Sequence, residues 1–295
     1  MHAFSSRLAA SALAATLLVS VAPARAERVG GYHIFPTPEY IARTGRVAPD
    51  ATTMLYFGGS VFSRAKVVSV IWGPDVDPTI VDGIPGFSRA LVKSTYTDQM
   101  AEYDTFRTGV GGVPGTDQRI HRGSFLGQFQ ITPKHHTKQL TDELIQQELR
   151  FQIKSGVLPK HDVRTLYMVY FPSDVTISLF GLLSCRDFGA YHFATNDTEM
   201  TPTNIFYSVE PDCNSSFASI TFAASHEYVE ATTDNIPTPG SNPAFPQAWN
   251  TSDGFEIADL CGSSGTLSAG AKSYTVTQYF LNSTGQCSTG NYTSP

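Results

Sequence analysis

One short stretch near residue 226 limits most strongly what this chain can fold into. Residues 225–230 read Ser-His-Glu-Tyr-Val-Glu and contain the pattern H-E-x-x-E. If the stretch is helical, His226 and Glu230 lie on one face, about one turn apart. Two such side chains can bind one metal ion, while Glu227 lies one position round the helix, within reach of a metal-bound water. The pattern therefore predicts a helix that carries part of a metal site.

The sequence on either side of this pattern extends the prediction. Apolar spacing predicts a helix over residues 217–233, and Pro237 beyond it excludes its continuation. A second acidic stretch, Gly-Phe-Glu-Ile-Ala-Asp-Leu-Cys, follows at residues 254–261. Catalytic zinc sites use three protein ligands and keep one position open for water. We therefore expect Glu256 or Asp259 to be the third ligand, with Asp259 alternatively orienting the histidine.

The N-terminal residues have the features of a secretory signal peptide. Arg7 supplies the positive charge, residues 8–21 form an apolar run, and Ala-Arg-Ala at positions 24–26 is a cleavage site. The apolar run is too short for a transmembrane helix. The chain is therefore expected to be secreted or periplasmic, with no membrane span. Its predicted divisions are a signal peptide (1–26), an N-terminal arm or pro-segment (27–53) and a metalloprotease-like domain (54–295).

Charge and cysteine content narrow the possible partners and the compartment. The formal net charge is −6 and no basic block is present, which argues against nucleic acid as a partner. The chain has four cysteines, and an even number in a secreted chain predicts two disulfides. Three pairings are possible, and closeness along the chain favours Cys185–Cys213 with Cys261–Cys287.

The order of predicted elements indicates the fold class. Runs rich in β-branched and aromatic residues predict strands, and spacing and capping signals predict helices. Together they favour an α/β (α+β) single domain with a mixed sheet. The predicted strands cover residues 54–62 (with a turn), 66–72, 124–132, 165–171, 205–209 and 272–281, and helices are predicted over 81–103 and after a capping Thr141.

Several of these motifs, taken in order, resemble the phosphate-induced, exordium-like family of secreted proteins and its bacterial relatives. The matching stretches include residues 56–59, 67–73, 225–230 and 256–261, and the resemblance covers roughly residues 54–287. It implies a secreted or cell-wall-associated protein whose activity is poorly defined. The family's motif block is similar to that of zincin metallopeptidases, so the resemblance implies a zincin-like fold with a metal-site helix.

The first functional hypothesis is a secreted zinc-dependent hydrolase, favoured as a metallopeptidase acting on a peptide, a protein or cell-wall material. His226, Glu230 and one downstream acid would bind Zn²⁺, and Glu227 would be the general base that activates water. Oxyanion or substrate contacts would come from nearby donors. The candidate donors are Tyr191, His192 and Tyr228. The pattern G-x-S-x-G is absent, which argues against a serine hydrolase of that type.

The second hypothesis is a non-catalytic extracellular or cell-wall-associated binding protein that keeps a zincin-like fold. Its acidic residues would bind Ca²⁺, which prefers oxygen ligands, and exposed aromatic residues around Trp249 would form the binding surface. His226 favours zinc over calcium, because imidazole is a better ligand for zinc.

Overall fold

The computed structural model describes residues 33–45, 53–196, 200–237 and 247–295. The predicted signal peptide lies outside the described residues, as do residues 27–32 and 46–52 of the predicted arm. Within the described ranges, no helix is both long and apolar enough to cross a membrane.

The described residues form five α-helices and sixteen strands, several of which are very short. The helices are α1 (Pro38–Thr44), α2 (Pro78–Lys93), α3 (Thr95–Gln99), α4 (Asp142–Lys154) and α5 (Phe217–Thr233). The strands are β1 (His33–Pro36), β2 (Leu55–Tyr56), β3 (Lys66–Trp72), β4 (Ser124–Ile131), β5 (Gln139–Thr141), β6 (Thr165–Phe171), β7 (Thr176–Leu179), β8 (Leu182–Leu183), β9 (Phe188–Asn196), β10 (Asn204–Pro211), β11 (Trp249–Asn250), β12 (Ser264–Ala269), β13 (Lys272–Thr277), β14 (Phe280–Leu281), β15 (Gln286–Cys287) and β16 (Asn291–Ser294).

A six-stranded mixed sheet organises the molecule, in the order β1-β9-β10-β6-β3-β4. The four strands from β10 to β4 run parallel to one another, whereas β9 is antiparallel to both of its neighbours. The prediction of a mixed α/β architecture is therefore confirmed. Its short edge strand, β1, lies inside the segment predicted as an N-terminal arm.

Side chains of the sheet alternate between two apolar cores, one on each face. On β6, Met168 and Tyr170 pack towards α2 and α5, while Val169 and Phe171 pack towards α4. This alternation follows from the two-residue period of a strand. Neighbouring residues of one strand therefore enter different environments, which matters for β9, where Tyr191 and His192 are adjacent.

Element boundaries agree best with prediction where the apolar pattern is strongest. The predicted spans of β3, β6 and α5 match the structure. The predicted helix over 81–103 is wrong as a single element, because Ser94 adopts an extended conformation that separates α2 from α3. Residues 54–62 contain only a two-residue strand, and β13 ends at Thr277 before β14 begins.

Two local details complete the comparison. Thr141 occupies the N-cap position of α4 and also ends β5, but its side chain makes no capping hydrogen bond. Both predicted disulfides are present: Cys185–Cys213 and Cys261–Cys287. Such bonds persist in oxidising compartments, in line with an extracytoplasmic location.

Candidate metal centre

Helix α5 carries the H-E-x-x-E pattern in a nearly inaccessible position. The Ser216 side chain caps the first turn by accepting a hydrogen bond from the Ser219 backbone N–H. The helix lies against β9 and β10 on one side and β13 on another, where the Ser225 hydroxyl accepts a hydrogen bond from the Thr277 backbone N–H. As a result the three residues of the pattern, His226, Glu227 and Glu230, are 3%, 0% and 2% exposed.

Other elements add ionisable side chains to the same buried space. His192 comes from β9 and Glu210 from β10, both on the face of the sheet that α5 covers. The segment between β11 and β12 contributes Glu256 and Asp259. The metal-centre cluster, as we call it below, consists of two imidazoles and five carboxyl groups: His192, Glu210, His226, Glu227, Glu230, Glu256 and Asp259.

Glu230 lies between the two imidazoles of the cluster. Its Oε1 atom is 3.0 Å from Nε2 of His226, and its Oε2 atom is 3.9 Å from Nδ1 of His192. Two sets of three residues bring one ligand atom each within 4.8 Å of one another: His226, Glu227 and Glu230 form one, and His192, Glu230 and Glu256 form the other. Glu230 is the member common to both sets.

The residues predicted as ligands lie near one another, but they do not all fall within one set of three. His226 and Glu230 lie together as expected, and Glu256 belongs to the set that contains His192 and Glu230. Oε1 of Glu256 also lies 3.5 Å from Nε2 of His192. Asp259 accepts a hydrogen bond from the Glu256 backbone N–H (3.2 Å) and lies 3.8 Å from Nε2 of His226. Asp259 thus connects the acidic segment to the helix.

The hydrogen bonds of His192 define its tautomer. Its Nε2 atom is 3.0 Å from the carbonyl oxygen of Asp234, which can only accept, so Nε2 carries the hydrogen. Burial lowers the pKa of His192 to about 4, so the ring is neutral near pH 7 and Nδ1 holds a lone pair. Nδ1 faces Oε2 of Glu227 at 3.1 Å. A lone pair and a carboxylate can face each other only with a proton or a cation between them.

Burial sets the electrostatics of the acidic residues. It raises the pKa of Glu227 and of Glu256 well above the ordinary value, and the nearby Glu230 adds to both shifts. Burial also raises the pKa of Glu210 to about 8. Burial alone would lower the pKa of His226, but the charges of Glu230 and Asp259 outweigh it and raise that pKa. The cluster thus carries more potential negative charge than its imidazoles can balance.

Some carboxylate oxygens of the cluster have no hydrogen-bond donor among the described residues. Among the described residues, Oε1 of Glu227 and Oε2 of Glu210 have no hydrogen-bond partner, although both atoms are buried. An unsatisfied buried oxygen is costly, and native proteins seldom leave one without a reason such as an ion or an ordered water.

Three predicted contact residues lie elsewhere. Tyr191 points to the opposite face of the sheet, where its hydroxyl donates to Asp142, so it does not line the cluster. The hydroxyl of Tyr228 pairs with that of Thr97 inside the core. Trp249, expected at an exposed aromatic surface, is 2% exposed and packs on Tyr56. Alternation along β9 is the reason that Tyr191 and His192 diverge.

Sequence reasoning missed one acidic residue and gave a different role to one histidine. Glu210 was not predicted, because it is a single acid in a largely apolar strand. An acid in an almost fully buried strand is itself a signal, since charged residues are rarely buried without a partner. His192, which is predicted from the sequence to contact substrate, also lies within one of the two sets of candidate ligands.

Comparisons with protein-family models, curated proteins and solved structures found no match for this chain.

Proposed function

We propose that this chain is a metal-dependent hydrolase of the extracytoplasmic space, and that its ion is zinc. The observation that carries the proposal is the composition of the metal-centre cluster: two imidazoles and four carboxyl groups are buried beside the partly buried Asp259, and some of the carboxylate oxygens have no hydrogen-bond donor among the described residues. A divalent cation would balance these charges, and imidazole combined with carboxylate suits zinc better than calcium.

The proposed protein ligands are Glu230, Glu256 and His192. This set keeps its ligand atoms within 4.8 Å of one another. His192 has the arrangement common among metal-binding histidines, in which one ring nitrogen donates to a backbone carbonyl and the other keeps its lone pair. His226 lies on the other side of Glu230 and is the alternative nitrogen ligand, as the H-E-x-x-E pattern predicts.

The remaining residues have distinct proposed roles. A bound zinc ion would make water more acidic and polarise a substrate carbonyl. Glu227 would accept the proton of that water. Its Oε1 has no hydrogen-bond partner among the described residues, and its Oε2 lies 3.1 Å from Nδ1 of His192. In amide hydrolysis the water oxygen joins the carbonyl carbon, the C–N bond breaks, and the proton passes from Glu227 to the leaving nitrogen. In this arrangement His226 would donate to the developing oxyanion.

The first test is elemental analysis of the purified full chain beside His192→Ala and His226→Ala. His161→Ala is the matched control, because His161 is also buried and its Nε2 also faces a backbone carbonyl, that of Pro202, at 2.6 Å. We expect one zinc per chain in the wild type and in the control, loss of zinc from His192→Ala, and weakened retention in His226→Ala.

Each other result has a defined meaning. If His226→Ala lost its zinc and His192→Ala only retained it more weakly, the ligand set predicted from sequence would be favoured instead. A folded chain that takes up no zinc would overturn the proposal. Calcium in place of zinc, or bound zinc with no cleavage across a peptide library, would favour the alternative of a non-catalytic binding protein.

A further inference from the structure

The edge strand β1 lies directly beside the metal-centre cluster. It pairs antiparallel with β9, with His33 opposite His192, Ile34 opposite Tyr191 and Phe35 opposite Ala190. Ile34 points into the core on the α4 face of the sheet. Phe35 points to the other face, which α5 covers.

Phe35 occupies a slot over the helix that carries the H-E-x-x-E pattern. Its ring centroid is 4.7 Å from that of His226 and 5.7 Å from that of Phe222. Phe35 and Phe222 are partly exposed, whereas His226 is 3% exposed. On the sheet side, a Cβ atom at Gly189 would lie 3.0 Å from the Phe35 ring, so glycine leaves the space that the ring uses.

Apart from Ile34 and Tyr40, which pack against the apolar core of the α4 face, the attachments of this segment beyond the β9 edge are few and mostly polar. Helix α1, which follows β1, has no buried residue. Thr37 donates from its hydroxyl to the Arg186 carbonyl (2.7 Å) and from its backbone N–H to the Asp187 carbonyl (3.1 Å). Arg43 pairs with the Asp187 carboxylate. The segment is therefore held by one strand edge, by the packing of Ile34 and Tyr40 against the core, by the contacts of the Phe35 ring and by a small group of polar contacts.

We propose that the edge of β9 is a binding site for an extended peptide with an aromatic residue, and that β1 fills this site in the structure described here. Strand addition to a sheet edge supplies affinity through main-chain hydrogen bonds, and a side-chain pocket supplies specificity. The peptide's aromatic side chain takes the place of Phe35. The inference rests on the proposed function, because a peptide in this position runs beside His192 and His226 and is thereby presented as substrate.

A tethered occupant competes strongly with a free one. A segment joined to its own site acts at an effective concentration of the order of millimolar, so a free peptide binds poorly until β1 leaves. β1 thus inhibits peptide binding at this site, and its sequence indicates which peptides the site prefers.

The test uses a fluorescent peptide with the sequence of residues 31–38, Gly-Tyr-His-Ile-Phe-Pro-Thr-Pro. Its binding to the full chain is followed by fluorescence anisotropy in the presence of a chelator. Phe35→Asp in the protein removes the ring and places a negative charge near the acidic cluster, which should release β1. Ile41→Asp is the matched control, since Ile41 lies on the exposed helix α1 and is 36% exposed. Phe35→Ala is the milder second variant, for use if Phe35→Asp does not fold.

We expect binding to the Phe35 variant at about 100 µM or tighter, and at least about tenfold weaker binding to the wild type and to the control. A peptide carrying Phe35→Ala should also bind the variant at least about tenfold more weakly, because it cannot fill the slot. Equal binding of the two peptides, equal binding to wild type and variant, or no binding to a folded variant would each overturn the inference.

The chelator keeps this result separate from the metal hypothesis. Every sample is metal-free, so peptide binding here with no zinc in the elemental analysis would overturn the proposed function alone. Zinc in the analysis with no peptide binding here would overturn the peptide site alone.

Discussion

Two adjacent residues of β9, Tyr191 and His192, enter two very different buried carboxylate sites. On the α4 face, Asp142 accepts hydrogen bonds from the hydroxyls of Tyr191 (2.6 Å) and Tyr207 (2.7 Å) and from the amide of Gln146 (2.6 Å). On the α5 face, Glu227 faces a histidine nitrogen with one oxygen, and its other oxygen has no hydrogen-bond partner among the described residues.

Under the proposed function, this difference separates a structural carboxylate from a catalytic one. Neutral donors around Asp142 satisfy a buried negative charge, so that site is complete without a ligand. The α5 face gathers several carboxyl groups with too few donors, so it requires protons or a cation to be stable. The first arrangement stabilises the fold, whereas the second costs stability unless an ion binds.

Glu227→Gln should produce the largest change in activity. The substitution preserves shape but removes the proposed base, so hydrolysis of a cleavable peptide should fall about 10²- to 10⁴-fold. Zinc should stay bound, because Glu227 is not a proposed ligand. Kinetics and elemental analysis on the same preparation check both points. Undiminished hydrolysis would remove Glu227 from the mechanism, and simultaneous loss of zinc would make it a ligand.

Glu230→Gln should weaken zinc binding by about 100-fold or more, since Glu230 belongs to both ligand sets. Asp142→Asn is the matched control from the other face of the sheet. It should cost about 1–3 kcal/mol of folding stability by disturbing a satisfied network, and leave zinc affinity unchanged. Competition with a chromogenic chelator measures the affinity. Equal effects of the two substitutions would contradict the distinction between the two sites.

The sequence predicts the helix of the α5 site better than it predicts the site itself. The H-E-x-x-E spacing and the flanking proline predict α5, and continuous apolar runs predict β3 and β6, because these signals are local. The position of His192 depends on the pairing of β9 with β10, and the position of Glu210 on the pairing of β10 with β6. Such long-range pairings leave no local signature, so the sequence does not predict that His192 and Glu210 lie beside α5.

Stability of the metal-free chain should fall as pH rises from about 5 to about 8. Burial raises the folded-state pKa of Glu210 to about 8, above its ordinary value of 4.5. The folded state therefore binds more protons in this window, and the stability that this provides is lost as pH rises through it. We expect a fall in Tm of about 5 °C across the window with a chelator present.

Glu210→Gln is the control for this pH dependence. It removes the titrating group and should flatten the curve. Zinc should stabilise the chain increasingly as pH rises, because its carboxylate ligands must be deprotonated. A melting temperature that rises with pH in the metal-free chain would contradict the proposed charge imbalance.

Arg43→Ala should have the smallest effect on stability. Its influence on hydrogen exchange in β1 and β6 tests whether the edge of the sheet opens separately from its centre. Arg43 is 52% exposed and pairs with buried Asp187, which also keeps its contact with Arg186. The loss should be below about 1 kcal/mol. If this loss of stability is confined to the sheet edge, hydrogen exchange of the β1 amides should become up to about fivefold faster, while exchange in β6 should not change. Arg122→Ala removes an exposed ion pair with Asp98 and is the matched control. Faster exchange in β6 as well would mean that β1 is part of the global fold and cannot leave the β9 edge independently.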